Sequence, residues 1–288
     1  MQIIRTISEM QAAAAAARRA GRRIGFVPTM GYLHAGHLSL VQEARRHADW
    51  IVVSIFVNPI QFSPNEDLAA YPRDFGRDEQ SCAQAGVDVV FYPEPSSMYH
   101  ADHSVYVEEN RLSAGLCGAQ RPGHFRGVLT VVAKLFNMVF PDVAVFGRKD
   151  AQQARVIQQM VRDLNFPVRI VVAPIVREPD GLAMSSRNVY LTADERSRAL
   201  WIYKALCHAQ ALYQAGERSA GKLESEIRAW LSNGNPRQVE YVQLVDYKTF
   251  DPVVEMAGTV LVAVCIRMGK ARLIDNMILE PISKNTGP

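Results

Sequence analysis

Cysteine is scarce and scattered in this 288-residue chain: Cys82, Cys117, Cys207 and Cys265 stand far apart, with no C-x-x-C pair among them. That spacing argues against a disulfide framework and against a zinc site, and it fits reduced thiols in a cytoplasmic protein. Dense basic runs are also missing. With 32 Lys and Arg against 29 Asp and Glu, the formal net charge is only +3, short of the footprint expected of a nucleic-acid or anionic-membrane binder. No apolar stretch reaches the roughly 20 residues needed to cross a bilayer. The alanine run 12–17 is too short for a signal core, and Arg5 is the only basic residue before it. Ser8 and Gln11 make a capping-box pattern, so residues 10–20 read as a surface helix instead. Internal repeats are absent, and no carboxylate cluster identifies a metal site, so metal ligands are left unknown. What remains is an ordinary globular composition, 48% hydrophobic and 21% charged, enough for one large or two modest domains.

Near-continuous apolar runs at 24–27, 50–57, 87–92, 143–146 and 168–175 read as strands buried on both faces. Helical patterns at 38–48, 73–85, 128–140 and 152–164 lie between them. Strands alternating with helices predict βαβ units and an open parallel sheet, in which ligands bind at the carboxyl ends of the strands. The texture changes after Ile175. Two helical segments, 193–214 and 220–231, precede three strand-like runs at 239–245, 259–267 and 272–279, which predicts a separate α+β domain with a small antiparallel sheet. The expected boundary is near Val176, and the closing 285–288 is expected to be disordered.

The polar motifs fall where the strands end. Pro28-Thr29-Met30-Gly31-Tyr32-Leu33-His34-Ala35-Gly36-His37 joins a strand to a helix, and such a turn offers backbone N–H groups and a helix dipole to an anion. His34 and His37, three apart, would aim both imidazoles the same way. Asn58-Pro59-Ile60-Gln61-Phe62 follows the second strand; its amides suit a ligand with hydroxyl and carboxylate groups, although an Asn-Pro turn with a solvated glutamine is the plainer reading. Arg121-Pro122-Gly123-His124-Phe125-Arg126-Gly127 is either an anion gate or a solvated basic loop. In Phe146-Gly147-Arg148-Lys149-Asp150, Lys149 can serve as a mobile charge on a phosphate, and Asp150 can cap the next helix or bond a ribose hydroxyl. The bland alternative is a charged loop. Gln152 and Gln153 open that helix, and Ala183-Met184-Ser185-Ser186-Arg187-Asn188 is either a triphosphate clamp or a capping turn.

His34-Ala35-Gly36-His37 after a strand is similar to the H-x-G-H signature of the adenylate-forming nucleotidyltransferase superfamily, which includes the class I aminoacyl-tRNA synthetases. Met184-Ser185-Ser186-Arg187 resembles the K-M-S-K-S loop of the same superfamily. With the 28–37 string, the Asn58–Gln61 motif, the Gly147–Asp150 motif, Gly181-Leu182-Ala183 and Tyr71-Pro72-Arg73 taken together, the chain resembles the pantoate:beta-alanine ligases across the first domain, and less distinctively beyond it.

That resemblance implies a Rossmann-like ATP- and pantoate-binding domain over 1–176 and a smaller α+β domain over 177–288 acting as a lid. It implies ATP-dependent condensation of (R)-pantoate with beta-alanine through a pantoyl-adenylate, releasing AMP and pyrophosphate, in the coenzyme A pathway. ATP with Mg2+, a cytoplasmic homodimer, and no nucleic-acid or membrane partner come with it. Carried over residue by residue, the catalytic groups are His34, His37 and Lys149. Nucleotide contacts fall at Met30, Gly31, Tyr32, Leu33, His34, Ala35, Gly36 and His37, at Gly147, Arg148, Lys149 and Asp150, and at Val176, Met184, Ser185, Ser186 and Arg187. Asn58, Gln61, Arg121 and Gln153 fall to the substrate. Two positions depart from the family pattern: Arg148, often uncharged or acidic, and Ala151, aromatic in some members. Three other functions use similar parts: an adenylyl- or cytidylyltransferase with a phosphorylated acceptor, a non-catalytic nucleotide-binding module, and an RNA-charging enzyme. The neutral glutamines speak against the first, the intact histidines, lysine and serines against the second, and the mild charge against the third.

Overall fold

A computed structural model describes residues 1–64 and 66–281; the expected disorder of 285–288 lies outside the described residues. The chain forms two compact units, residues 1–176 with 184–186, and residues 177–183 with the chain from 187 onward.

In the first unit β1 (Gln2–Ile4), α1 (Ile7–Arg19), β2 (Ile24–Thr29), α2 (Ala35–Arg45), β3 (Trp50–Ile55), α3 (Phe75–Gln84) and β4 (Val89–Phe91) are followed by two short helices, α4 (Pro95–Met98) and α5 (Leu116–Gln120). Then come α6 (His124–Val139), β5 (Val143–Gly147), α7 (Ala151–Asp163) and β6 (Arg169–Ala173). The six strands are parallel in the order β1-β4-β3-β2-β5-β6. β3 is buried at every position, as an apolar run covered on both faces must be. One face of the sheet packs Val27, Ile51, Val53, Val90 and Val145 with Leu40, Val41 and Ala44 of α2 and Cys82 of α3. On the other, Phe26 meets Phe136 of α6 edge to face, with ring centroids 6.4 Å apart.

Several boundaries differ from the sequence expectation. The edge strand β1 is too short to carry a periodic signal. α1 is capped by Thr6, whose Oγ1 accepts from the Glu9 amide at 3.3 Å, so the helix begins ahead of the Ser8–Gln11 pattern. Thr6 rather than Ser8 wins because it is the residue in extended backbone, φ −103° and ψ 149°. α6 starts at His124, earlier than 128, because the 121–127 loop turns straight into the helix.

The second unit holds α8 (Ala193–Ala199), α9 (Trp201–Gln214), α10 (Ala220–Ser232) and the strands β7 (Gln238–Asp246), β8 (Val260–Met268) and β9 (Ala271–Leu279). The expected single helix 193–214 is divided at Leu200, which keeps helical backbone at φ −59° and ψ −21°. The three strands are antiparallel with β8 central. Ile202 and Leu206 of α9 and Leu223 and Ile227 of α10 share a core with Val262, Val264 and Ile266 of β8. Arg177 grips the buried carboxylate of Asp275 with two bonds of 2.6 and 2.9 Å, so both charges are paired inside this unit. Among the described residues no helix is long and apolar enough to cross a membrane.

Candidate active site

Strand order decides where the site is. After β2 the chain builds outward through β3 and β4, then returns to lay β5 on the other side of β2, with Gly25 opposite Val143 and Phe26 opposite Ala144. A crevice opens at such a reversal, outside the carboxyl ends of the two strands. The turn after β2 and the turn after β5 are thereby neighbours, although more than a hundred residues separate them.

His34 is the N-cap of α2 rather than a member of it, with extended backbone at φ −136° and ψ 174°. Its Nδ1 accepts from the Gly36 amide at 3.1 Å, and the Nδ1 of His37 accepts from the His34 amide at 3.3 Å. Two imidazoles thus form the reciprocal box usually built from a hydroxyl and a glutamate. Their rings lie 4.1 Å apart at 36°. A nitrogen that accepts carries no proton, so each ring is held as the neutral tautomer with its hydrogen on Nε2. Burial, then the adjacent His34 and Lys149, push the His37 pKa well below its ordinary value, which keeps that tautomer at neutral pH. Only glycine fits between the two: a Cβ on Gly36 would lie 2.8 Å from Cε1 and 2.9 Å from Nδ1 of His34. The sequence expectation of two residues on one helical face is corrected to a cap and its reciprocal partner.

Gly147 ends β5, and Arg148, Lys149 and Asp150 form one 3-10 turn leading into α7. The Asp150 side chain does not cap α7, contrary to expectation, because its carboxylate faces the Lys149 ammonium at 3.6 Å. Met184 donates its amide to the Val176 carbonyl at 3.0 Å, and the buried Ser186 hydroxyl donates to the Tyr32 carbonyl at 3.2 Å. Met184, Ser185 and Ser186 therefore belong to the same unit as the histidines, whereas Arg187 opens the stretch assigned to the second unit. Leu33 is buried and Ala35 exposed at the first position of α2.

Asn58, nearly fully buried, donates to the Gln61 side-chain carbonyl at 3.0 Å and to the Gly127 carbonyl at 3.1 Å, and accepts from the Tyr99 hydroxyl at 2.8 Å. It orients Gln61, whose Nε2 is left facing the Met30 sulfur at 3.1 Å. A thioether is a weak acceptor, so an oxygen-bearing ligand is a better partner for that amide. The expected anion gate is tied down instead. Arg121 forms a paired fork on Glu66, at 2.5 and 2.8 Å, and also donates to His124 Nε2 at 3.0 Å. Burial opposes ionisation of Glu66, but the bond and charge of Arg121 outweigh it and hold the carboxyl below its usual value. His124 donates from Nδ1 to the Gln61 carbonyl at 2.9 Å; burial, then the Arg121 charge, lower its pKa to about 4.

Gln153 sits half-buried in the first turn of α7. Its neighbour Gln152 is a structural strut, buried and bonded to the Cys117 amide and the Leu112 and Gly115 carbonyls at 3.0, 2.9 and 2.8 Å. Sequence reasoning missed Thr29 and Asp78. Thr29 Oγ1 donates to the Ser54 carbonyl at 2.8 Å and accepts from the Gly31 amide at 3.2 Å. Asp78, on α3, accepts from the Tyr32 and Leu33 amides, both at 2.7 Å. Asp78 and Cys82 are the two buried residues of α3, four apart on one face, a placement that the fold and not the sequence reveals. Among the described residues no group of three or more His, Cys, Asp and Glu side chains could hold a metal ion.

A parallel α/β sheet whose reversal point carries a doubly capped H-x-G-H turn, with a Met-Ser-Ser segment bonded to it, is the arrangement that the resemblance to the H-x-G-H nucleotidyltransferases implies. The family model for "Pantoate-beta-alanine ligase" matches residues 2–278. The chain is 56% identical over 279 residues to a pantothenate synthetase of Thermotoga petrophila, covering 97% of this chain and 100% of the relative. It is 53% identical over 280 residues to one of Heliobacterium modesticaldum, at 97% and 100% coverage. Among solved structures, a pantothenate synthetase of Thermus thermophilus superposes with a TM-score of 0.93 at 44% identity, covering 98% of this chain and 100% of that one. A pantoate-beta-alanine ligase of Francisella tularensis, complexed with beta-gamma ATP and beta-alanine, matches with a TM-score of 0.79 at 34% identity over 96% and 97% of the two chains. The chain belongs to the pantoate-beta-alanine ligase family.

Proposed function

We propose that this chain condenses (R)-pantoate with beta-alanine at the expense of ATP, through a pantoyl-adenylate, releasing AMP and pyrophosphate. The carrying observation is the pair of imidazoles at the sheet reversal, each accepting a backbone amide on Nδ1, which leaves the proton of a neutral ring on Nε2. Attack of the pantoate carboxylate on the α-phosphorus builds charge on the α-phosphate and on the departing pyrophosphate. Donors fixed beforehand stabilise that charge without reorganising. His34 and His37 serve the α and β phosphates, and Lys149, Ser185, Ser186 and Arg187 the polyphosphate. Gln61 and Gln153 hold pantoate, with Asn58 orienting Gln61. In the second step the neutral amine of beta-alanine attacks the mixed anhydride, and proximity supplies most of the acceleration. The nucleotide contacts at Met30–His37, Gly147–Asp150, Val176 and Met184 complete the reading.

Mg2+ accompanying ATP would supply positive charge to its phosphates; among the described residues no group of three or more His, Cys, Asp and Glu side chains could hold it. Arg121 is read as a support for the Gln61 carbonyl, because its charge is already matched by Glu66. We also propose a cytoplasmic homodimer; the absence of any disulfide among Cys82, Cys117, Cys207 and Cys265 supports a reducing compartment. The test is pyrophosphate release from ATP. Release that requires pantoate, with AMP and pantothenate accumulating only after beta-alanine is added, is the expected result. Release that ignores pantoate and answers to a phosphorylated acceptor would overturn the ligase reading.

A further inference from the structure

The turn that carries the histidines is held from behind by one helix. Asp78 takes the amides of Tyr32 and Leu33 on its two oxygens, at 2.7 Å each. Its neighbour Arg77 donates to the Leu33 carbonyl at 3.1 Å and lays its guanidinium 4.8 Å from the centre of the Tyr32 ring. The backbone there is one that side chains resist: Gly31 has φ +80° and Tyr32 φ +51°, the second in the left-handed region that a non-glycine residue enters only when its surroundings impose it. Packing contributes at Gly31, where a Cβ would lie 2.8 Å from Asp78 Oδ2 and 3.0 Å from Ile55 Cγ2. A cavity of about 250 Å³, bounded by Gly31, Phe56, Phe75, Tyr92 and Asp78 itself, lies beside the turn. The two bonds to Asp78 and the Arg77 contact hold Tyr32 and Leu33 from behind, beside the Thr29 bond to the Gly31 amide and the Ser186 bond to the Tyr32 carbonyl.

We propose that Asp78 is a positioning residue for the nucleotide: its carboxylate fixes the backbone of Tyr32 and Leu33, so that His34 enters α2 with its imidazole aimed into the site. Asp78 does not touch the substrate in this role. Both of its oxygens face α2's leading turn, and the next residue along, His34, begins the imidazole box. A carboxylate suits the place because it presents two acceptors and no donor. An amide of the same shape presents one acceptor and turns an N–H₂ against one of the two amides. This inference rests on the reading that the turn binds ATP.

The test compares wild type, Asp78→Asn and Arg77→Ala by calorimetric ATP binding, by steady-state kinetics of pantoate-dependent pyrophosphate release, and by thermal melting. Asp78→Asn is expected to weaken ATP binding and lower kcat by about ten- to a hundredfold each, the range that a misplaced oxyanion donor approaches. Arg77→Ala, at an exposed residue, covers the case in which Asp78→Asn does not fold. It is expected to raise the ATP KM by roughly three- to tenfold with melting unchanged. A residue that merely supports the fold would lower the melting temperature and leave ATP KM and kcat of the folded fraction alone; that result, or ATP binding within about twofold of wild type in both variants, overturns the proposal. Wild-type protein that binds ATP but releases no pyrophosphate with pantoate would sink the ligase reading while the ATP affinities still decide the role of Asp78. Wild-type protein that does not bind ATP would sink both.

Discussion

Replacing Gly36 with alanine separates what the histidine turn does for the helix from what it does for the reaction. The new Cβ would stand 2.8 Å from Cε1 and 2.9 Å from Nδ1 of His34, closer than real contacts of this kind, so the imidazole has to swing away. Backbone geometry is no obstacle, since Gly36 is not among the positive-φ glycines. Two stability effects then oppose one another. Losing the His34 cap costs about 1 kcal/mol, while alanine in place of glycine within α2 contributes up to about 1 kcal/mol of helix propensity. The melting temperature should therefore stay within a few degrees of wild type. Catalysis has no such offset. One displaced donor to a developing oxyanion costs on the order of 10²–10³ in rate, about 3–4 kcal/mol. Pantoate-dependent pyrophosphate release should fall by that factor in a protein that melts almost normally. Activity within about threefold of wild type, with His34 shown by crystallography to have moved, would refute the assignment of a donor role to its Nε2–H.

Two further outcomes concern stability and the pantoate side of the site. His124 has its folded pKa lowered to about 4 from an ordinary 6.5, so the folded state holds it neutral while the unfolded chain protonates it. Its contribution is whole above about pH 6.5 and is lost as pH falls from there to about 4, roughly 3 kcal/mol in all. Urea titrations at pH 7 and pH 4.5 should show this, and His124→Gln should flatten the difference; an unchanged difference would move its origin elsewhere. Gln152→Ala removes the bond to the Leu112 carbonyl at 2.9 Å, at about 1–3 kcal/mol if that group is left buried and unpaired, whereas the Gly115 carbonyl keeps the amides of Gly118 and Ala119. Gln153→Ala should hardly change stability, within about 0.5 kcal/mol, and raise the pantoate KM by about tenfold or more. Melting curves and KM measured side by side would expose a reversal of these two roles.

The sheet was legible because strands covered on both faces must be apolar throughout, and the runs at 50–57 and 143–146 stand out for that reason alone. β1 was not, since three residues carry no period. The H-x-G-H string was legible as a turn between a strand and a helix, yet its geometry was not: spacing shows that His34 and His37 are three apart but not that one precedes the helix and caps it. Asp150 looked like a helix cap from position, and the structure turns it to Lys149 instead, an attraction between side chains that no propensity encodes. Arg121 looked like a free charge because Glu66 lies 55 residues away in sequence. Asp78 lay in a segment read only as a polar helix, and its partners are backbone amides, which every sequence offers and none advertises.

A designer asked only to stabilise α2 would not write what stands at its start. Aspartate or serine at position 34 and glutamate at 37 would make a conventional box, and neither carries an N–H to offer outward. The chain uses two aromatic heterocycles for a task that short polar side chains perform well. In doing so it makes the fold of one helical turn and the protonation pattern of its outer edge a single fact. Any substitution that restores the cap without an imidazole leaves a sound helix and takes away the two Nε2–H groups to which the proposed function assigns the phosphates.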